Sequence, residues 1–201
     1  MPCFLFVFPT FPVEQINNNK AIMRDNPNEM LPVVDENGNI LSAMTRGEAH
    51  DGSKRLHPVV HLHVFNSSGA LYLQHRPEWK DIQPDKWDTA VGGHIDLGEN
   101  VDQALKREAR EELGITDFTP ECLGHYVFES QKEKELVYVH RCVYDKEIRP
   151  SKDELNGGRF WTQQEIADNI GKGIFTPNFE SEYQRFFNTF ASNGNSNEAR
   201  P

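Results

Sequence analysis

Apolar and polar positions alternate in blocks along most of the chain. LPVVDENGNILSAMTR sets two apolar runs on either side of Asp35-Glu36-Asn37-Gly38-Asn39, a hairpin signal. HPVVHLHVFNSSGALYLQHR repeats the pattern as strand, Asn66-Ser67-Ser68-Gly69 turn and strand. KWDTAVGGHI reads as a Gly-interrupted strand. In VDQALKREAREELG, Val101, Ala104, Leu105 and Ala109 fall on one helical stripe and Gly114 supplies the stop. CLGHYVFESQKEKELVYVHRCVY reads as two strands. GGRFWTQQEIADNI gives a strand and then a helix opening at Thr162, with Glu165 completing a capping box. NFESEYQRFFNTF forms a terminal amphipathic helix. Strands and helices mix without regular βαβ alternation. The pattern predicts an α/β (α+β) chain with a mixed sheet packed between helices.

Both ends depart from this pattern. The segment MPCFLFVFPTFP has a short apolar run that stops at Pro9, without a basic n-region or a small-residue cleavage site, and reads as an extended arm. Residues 14–29 are polar and Asn-rich, as in a linker. The expected organisation is an arm and linker over 1–29, one domain over 30–190 and a disordered tail over 191–201.

The 201 residues carry 21 Lys and Arg against 31 Asp and Glu, a net charge of −10. An acidic chain repels nucleic-acid backbone and anionic lipid, so neither is an expected partner. No apolar stretch approaches the roughly 18 residues of a membrane span. Three cysteines, Cys3, Cys122 and Cys142, with no CxxC, point to reduced thiols and a cytoplasmic location. A phosphate-bearing substrate would need local compensation by a metal or a few placed cations.

One segment concentrates the chemistry. Glu108, Glu111 and Glu112 stand at i, i+3 and i+4, so all three carboxylates share a helix face. Like charges stacked in this way destabilise a helix unless cations such as Arg107 and Arg110, or a divalent metal, stand nearby. Hard carboxylate oxygens suit Mg²⁺ or Mn²⁺, and Mg²⁺ typically combines one or two carboxylates with substrate phosphate oxygens. Gly92-Gly93, before the helix, lets backbone approach a ligand closely.

The spacing G-x5-E-x7-R-E-U-x-E-E-x-G-U from Gly93 to Ile115 resembles the Nudix box at every fixed position, with Ala109 a small version of the first aliphatic site. The resemblance implies an α/β/α sandwich and metal-dependent hydrolysis of a nucleoside diphosphate linked to another moiety. By position it implies that Glu108, Glu111 and Glu112 bind metal and that Arg107 pairs with Glu99. It further implies that a glutamate inside or outside the box deprotonates the attacking water.

A wider resemblance covers roughly residues 31–165. His50-x6-His57, NSSGALYLQHR, KWDTAVGGH and Glu133-x-Glu135 look like type I isopentenyl-diphosphate isomerase, which is built on the same fold. That likeness implies a second metal site at His50, His57, His94, Glu133 and Glu135, and a diphosphate held by Arg46, Arg76 and Lys80 beside Gly92 and Gly93. The isomerase's acid–base cysteine, however, falls at Gly92, while every box acid is retained. The reading is therefore a hydrolase of the isomerase-like branch, active on a small diphosphate substrate as a monomer or homodimer. Isomerase and non-catalytic binding module are the alternatives. His61 and His63, alternating on a strand, are expected on a solvent-facing or partly buried face. Trp87 and Trp161 are expected in the core.

Overall fold

The computed structural model describes residues 26–80 and 82–187. Most of the expected arm and all of the expected tail lie outside the described residues. β1 (Met30–Val34) and β2 (Ile40–Thr45) form a separate antiparallel hairpin. Asp35 shapes its turn by accepting from the backbone N–H groups of Asn37 and Asn39, at 2.9 and 2.8 Å. Gly38 has φ +82°, and a side chain there would strike the Tyr138 hydroxyl, so the turn can rest against the main sheet.

The main sheet has seven strands in mixed orientation. Its centre is β3 (Leu56–Phe65), paired in parallel along its whole length with β8 (Lys134–Val143). β7 (Glu121–Glu129) is antiparallel to β8. The other edge of β3 is shared: β6 (Val91–His94) pairs with its middle and β4 (Leu71–His75) with its end. β4 in turn pairs with β5 (Trp87–Thr89) and β9 (Gly158–Trp161). The expected single strand over KWDTAVGGHI is thus two strands split at Ala90, because its halves pair with different neighbours.

Period-2 alternation along β3 gives the sheet two different faces. Val60, Leu62 and Val64 pack on Ala104, Leu105, Ala109 and Leu113 of α2 (Val101–Leu113). On the opposite side, Leu71, Leu73 and Trp161 meet Phe179 and Tyr183 of α4 (Pro177–Phe186). Helices thus cover both faces, as the α/β/α expectation requires. Each fully buried Leu or Phe is worth roughly 1.5–3 kcal/mol, so these two layers carry much of the stability.

Local signals place the helix ends. Asn100 and Gln103 cap α2 reciprocally, both at 3.0 Å, and Gly114 ends it in the left-handed region at φ +67°. Thr162 and Glu165 cap α3 (Gln163–Asn169) as their spacing predicts. One further turn, α1 (Arg46–Ala49), was not expected, although Thr45-x-x-Glu48 carries the same capping signal.

Two expectations need correction. His61 and His63 are buried, because both face α4 and meet the carboxylate of Glu182 there. Cys122 is disulfide-bonded and only Cys142 is a free thiol among the described residues, against the expectation of reduced cysteines. No described helix is long and apolar enough to cross a membrane.

Candidate active site

β6 divides two charged clusters. Opposed residues of an antiparallel pair share a face, so Gly93 lies with Val60 toward α2, and Gly92 with His61 toward α4. On the α2 side, Arg107 organises the box. Its Nε and Nη2 donate to the two oxygens of Glu99 at 2.8 and 2.7 Å. Its Nη1 donates to Glu108 Oε1 at 2.7 Å and Glu111 Oε2 at 3.4 Å, and Nη2 also reaches the His94 carbonyl at 3.0 Å. The pairing of Arg107 with Glu99 matches the sequence expectation.

The three box carboxylates differ in environment. Glu108 and Glu112, one turn apart, are withdrawn from solvent, while the Glu111 side chain is 49% exposed. Burial pushes Glu108 up to about 7, against the pull of Arg107. Burial also raises Glu112, well above the carboxylate range, reinforced by the charge of Glu108. Glu112 Oε2 accepts from the Gly92 backbone N–H at 3.1 Å and from Gln74 Nε2 at 3.3 Å. At Gly93 a side chain would overlap the Glu108 carboxyl, so only glycine permits this approach.

On the α4 side, His50, His57 and His94 converge, offering ligand atoms all within 4.8 Å of one another. They come from the end of α1, from β3 and from β6, and the sequence separates His50 from His94 by more than forty residues. His57 Nδ1 lies 3.1 Å from the Arg55 carbonyl, to which it donates, leaving its buried Nε2 without a partner. Burial lowers the pKa of His57 and, more strongly, of His94, so both are neutral imidazoles with a lone pair to offer. Glu133 approaches His50 Nε2 at 3.5 Å. Burial, and then the neighbouring Glu135, push Glu133 up to about 8. Glu135 stands directly opposite His57 across the parallel pair and accepts from Asn178 Nδ2 at 3.1 Å.

The three candidate cations are each engaged. Arg46 Nη1 lies 2.9 Å from His94 Nδ1 and 3.4 Å from Glu29. Arg76 donates to the carbonyls of Ile82 and Gln83 and to Asp88, so it ties residues 82 and 83 to β5. Lys80 reaches Glu154 at 3.1 Å. Trp161 is in the core as expected, and Trp87 is half-buried against it.

The NUDIX domain model matches residues 55–179, more than half of the chain. The chain belongs to the NUDIX family. An uncharacterized Nudix hydrolase of Streptomyces coelicolor is 29% identical over 161 residues, covering 78% of this chain and 87% of that protein. An isopentenyl-diphosphate Delta-isomerase of Photorhabdus laumondii is 26% identical, covering 77% of this chain and 93% of that protein. A crystal structure from Deinococcus radiodurans shares the fold with a TM-score of 0.70 at 24% identity, covering 79% of this chain and 99% of that one. Its relatives thus include Nudix hydrolases and isomerase-named proteins.

The sequence reading missed the partners of these residues. Gln74 and Gly92 on Glu112, and Asn178 on Glu135, come from distant elements, and no spacing rule signals them.

Proposed function

We propose that this Nudix protein is a metal-dependent hydrolase that cleaves the diphosphate linkage of a small substrate by water attack on phosphorus. The observation that carries the reading is the intact box: Glu108 and Glu112 withdrawn from solvent beside Gly93, with Arg107 bridging Glu99, Glu108 and Glu111. Two neighbouring, largely enclosed carboxylates with raised pKa values are a costly arrangement, which a divalent cation relieves. The donor set is all oxygen, so Mg²⁺ or Mn²⁺ fits at Glu108, Glu111 and Glu112. Such an ion supplies neutralisation of the diphosphate charge and acidification of water. Arg107 keeps the carboxylates in register. Glu112, fixed by Gly92 and Gln74, is placed to take the proton of the attacking water. Arg46, Arg76 and Lys80 supply positive charge toward the diphosphate.

A second metal site at His50, His57, His94, Glu133 and Glu135 is supported by the unpartnered His57 Nε2 and by the neutral imidazoles. Mixed imidazole and carboxylate donors suit Mn²⁺, Fe²⁺ or Zn²⁺. Arg46 must release His94 Nδ1 for that nitrogen to act as a ligand. The same cluster, with the isomerase-named relatives, favours isopentenyl-diphosphate isomerase as a second reading. Gly92 weighs against it, since it offers no side chain to exchange a proton with an allylic carbon.

The test is phosphate release from nucleotide sugars, dinucleotides, coenzymes and isoprenoid diphosphates, with Mg²⁺ or Mn²⁺ and with Glu111→Gln in parallel. Turnover lost in the variant is expected. Conversion of isopentenyl to dimethylallyl diphosphate without phosphate release would instead establish the second reading.

A further inference from the structure

A third polar cluster, outside both metal-type sites, lies under α4. Glu182 is fully buried, and its two oxygens each lie 2.7 Å from an imidazole: Oε1 from His61 Nδ1, Oε2 from His63 Nε2. The Tyr126 hydroxyl lies 2.8 Å from Glu182 Oε1 and 2.9 Å from Asn178 Oδ1, and Asn178 continues to Glu135. A buried carboxylate with two imidazoles is an expensive way to attach a helix, because desolvation offsets most of the attraction.

The two histidines are not equivalent. His63 is fully enclosed, and its Nδ1 has no partner. His61 retains 7% exposure, and its Nε2 has no hydrogen-bond partner among the described residues, yet it is not one of the sealed atoms. His61 stands opposite Gly92 across the β3–β6 pair. A Cβ at position 92 would sit 3.3 Å from His61 Cδ2 and Nε2, so with glycine no side chain of position 92 covers that ring edge. The same Gly92 gives its N–H to Glu112. One residue without a side chain therefore separates a box carboxylate from an imidazole nitrogen held in place from behind.

We propose that His61 is a substrate-contacting residue, donating from Nε2 to a phosphoryl oxygen across Gly92, with Glu182 as the positioning residue that fixes its ring. This rests on the diphosphate-hydrolase reading above. The charged groups facing His61 are Glu182 on α4, Glu135 on β8 and Asp88 on β5. All are acidic: burial alone would lower the imidazole's pKa, but Glu182 above all raises it to about 9, which keeps Nε2 a donor at neutral pH. A donor there compensates the phosphate charge that the acidic chain otherwise repels.

Histidine-ring ¹⁵N NMR on the full chain gives a readout that a merely structural role does not move. The probe is Mg²⁺ with methylenediphosphonate, a non-hydrolysable diphosphate, and His61→Asn assigns the resonance. The expected result is a shift of the His61 Nε2 signal with probe, saturating with it. A signal that stays put while other histidine signals saturate overturns the proposal. In parallel, His61→Asn, whose amide can still reach Glu182, is expected to lose about 10–100-fold in kcat/KM on the best panel substrate, the size of one charge-assisted hydrogen bond. Glu182→Gln is expected to lose less, mainly in kcat. Activity of His61→Asn within threefold of wild type overturns the proposal. If the wild type turns over nothing in the panel but Nε2 still responds to the probe, the hydrolase reading falls and this contact stands.

Discussion

The two sides of β6 solve one problem, crowded negative charge, by different means. On the α2 side, Arg107 supplies a permanent cation to Glu99, Glu108 and Glu111, all from a single stretch of 23 residues. On the α4 side, Glu133 and Glu135 lie among the imidazoles of His50, His57 and His94, with Arg46 held against His94, and the elements involved span most of the domain. The first cluster is held together by the chain itself. The second is assembled from distant elements, with the Arg46 guanidinium 2.9 Å from His94 Nδ1. The lesson is that a guanidinium bridging carboxylates of one short segment gives a cluster local order, whereas a cluster of imidazoles and carboxylates drawn from distant strands takes its geometry from the whole sheet.

The sharpest break of this contrast is Gly93→Ala. Its Cβ would displace the Glu108 carboxyl, so activity on the best panel substrate is expected to fall at least about 100-fold while the fold persists. Unchanged turnover with native melting would show that Glu108 is not where the chemistry happens. Next, Arg107→Ala removes the internal cation. Breaking a buried pair costs about 3–5 kcal/mol, and since the Arg107 side chain is 21% exposed the expected loss is about 2–3 kcal/mol by urea denaturation. A loss that Mg²⁺ largely restores would show that a metal can replace the guanidinium. On the other side, His57→Asn removes the unpartnered Nε2. Mn²⁺ affinity by calorimetry is expected to drop at least about tenfold for one class of sites only. Equal loss at all sites, or none, would merge the two clusters or empty the second.

The smallest effect is in pH. Glu182 is held below the usual range because His61 and His63 outweigh its burial, so its contribution is present above the unfolded value of 4.5 and lost as pH falls through its folded value. His61, raised to about 9, contributes fully below 6.5 and loses this as pH rises toward 9. The pair is most stabilising between about 4.5 and 6.5. Glu108 has the opposite sense: its raised folded value makes the metal-free protein lose stability from about 4.5 up to about 7. Melting curves in EDTA are therefore expected to peak near the acid end of the range. Mg²⁺ should raise Tm by more at pH 8 than at pH 5, and Glu182→Gln should flatten both the decline below 4.5 that belongs to Glu182 and the alkaline decline that belongs to His61. A Mg²⁺ effect independent of pH would remove the box carboxylates as its origin.

The box was legible because its geometry is local. Residues at i, i+3 and i+4 share a helix face whatever the rest of the chain does, and Asn100 and Gly114 mark the ends of that helix. The hairpin turns at Asp35 and Asn66 were legible for the same reason. The α4 side was not. The burial of His61 and His63 depends on where Glu182 arrives, more than a hundred residues later, and alternation along a strand says which residues share a face but not what covers it. The split at Ala90 also escaped the pattern, because only pairing distinguishes one interrupted strand from two.

β3 and β8 run parallel, and that pairing sets an order of events during synthesis. His50, His57, His94 and the whole box helix are made before residue 134, but β3 has no parallel partner until β8 emerges. Closing that long connection is entropically slow compared with forming the hairpins or α2. The closure brings Glu135 opposite His57 in the same motion. The α4-side site is therefore completed only by the late step that completes the sheet. A nascent chain halted at the start of β8 would carry the box acids, the three histidines and Glu133 but not Glu135, so the coordination chemistry of that site matures only as the protein does.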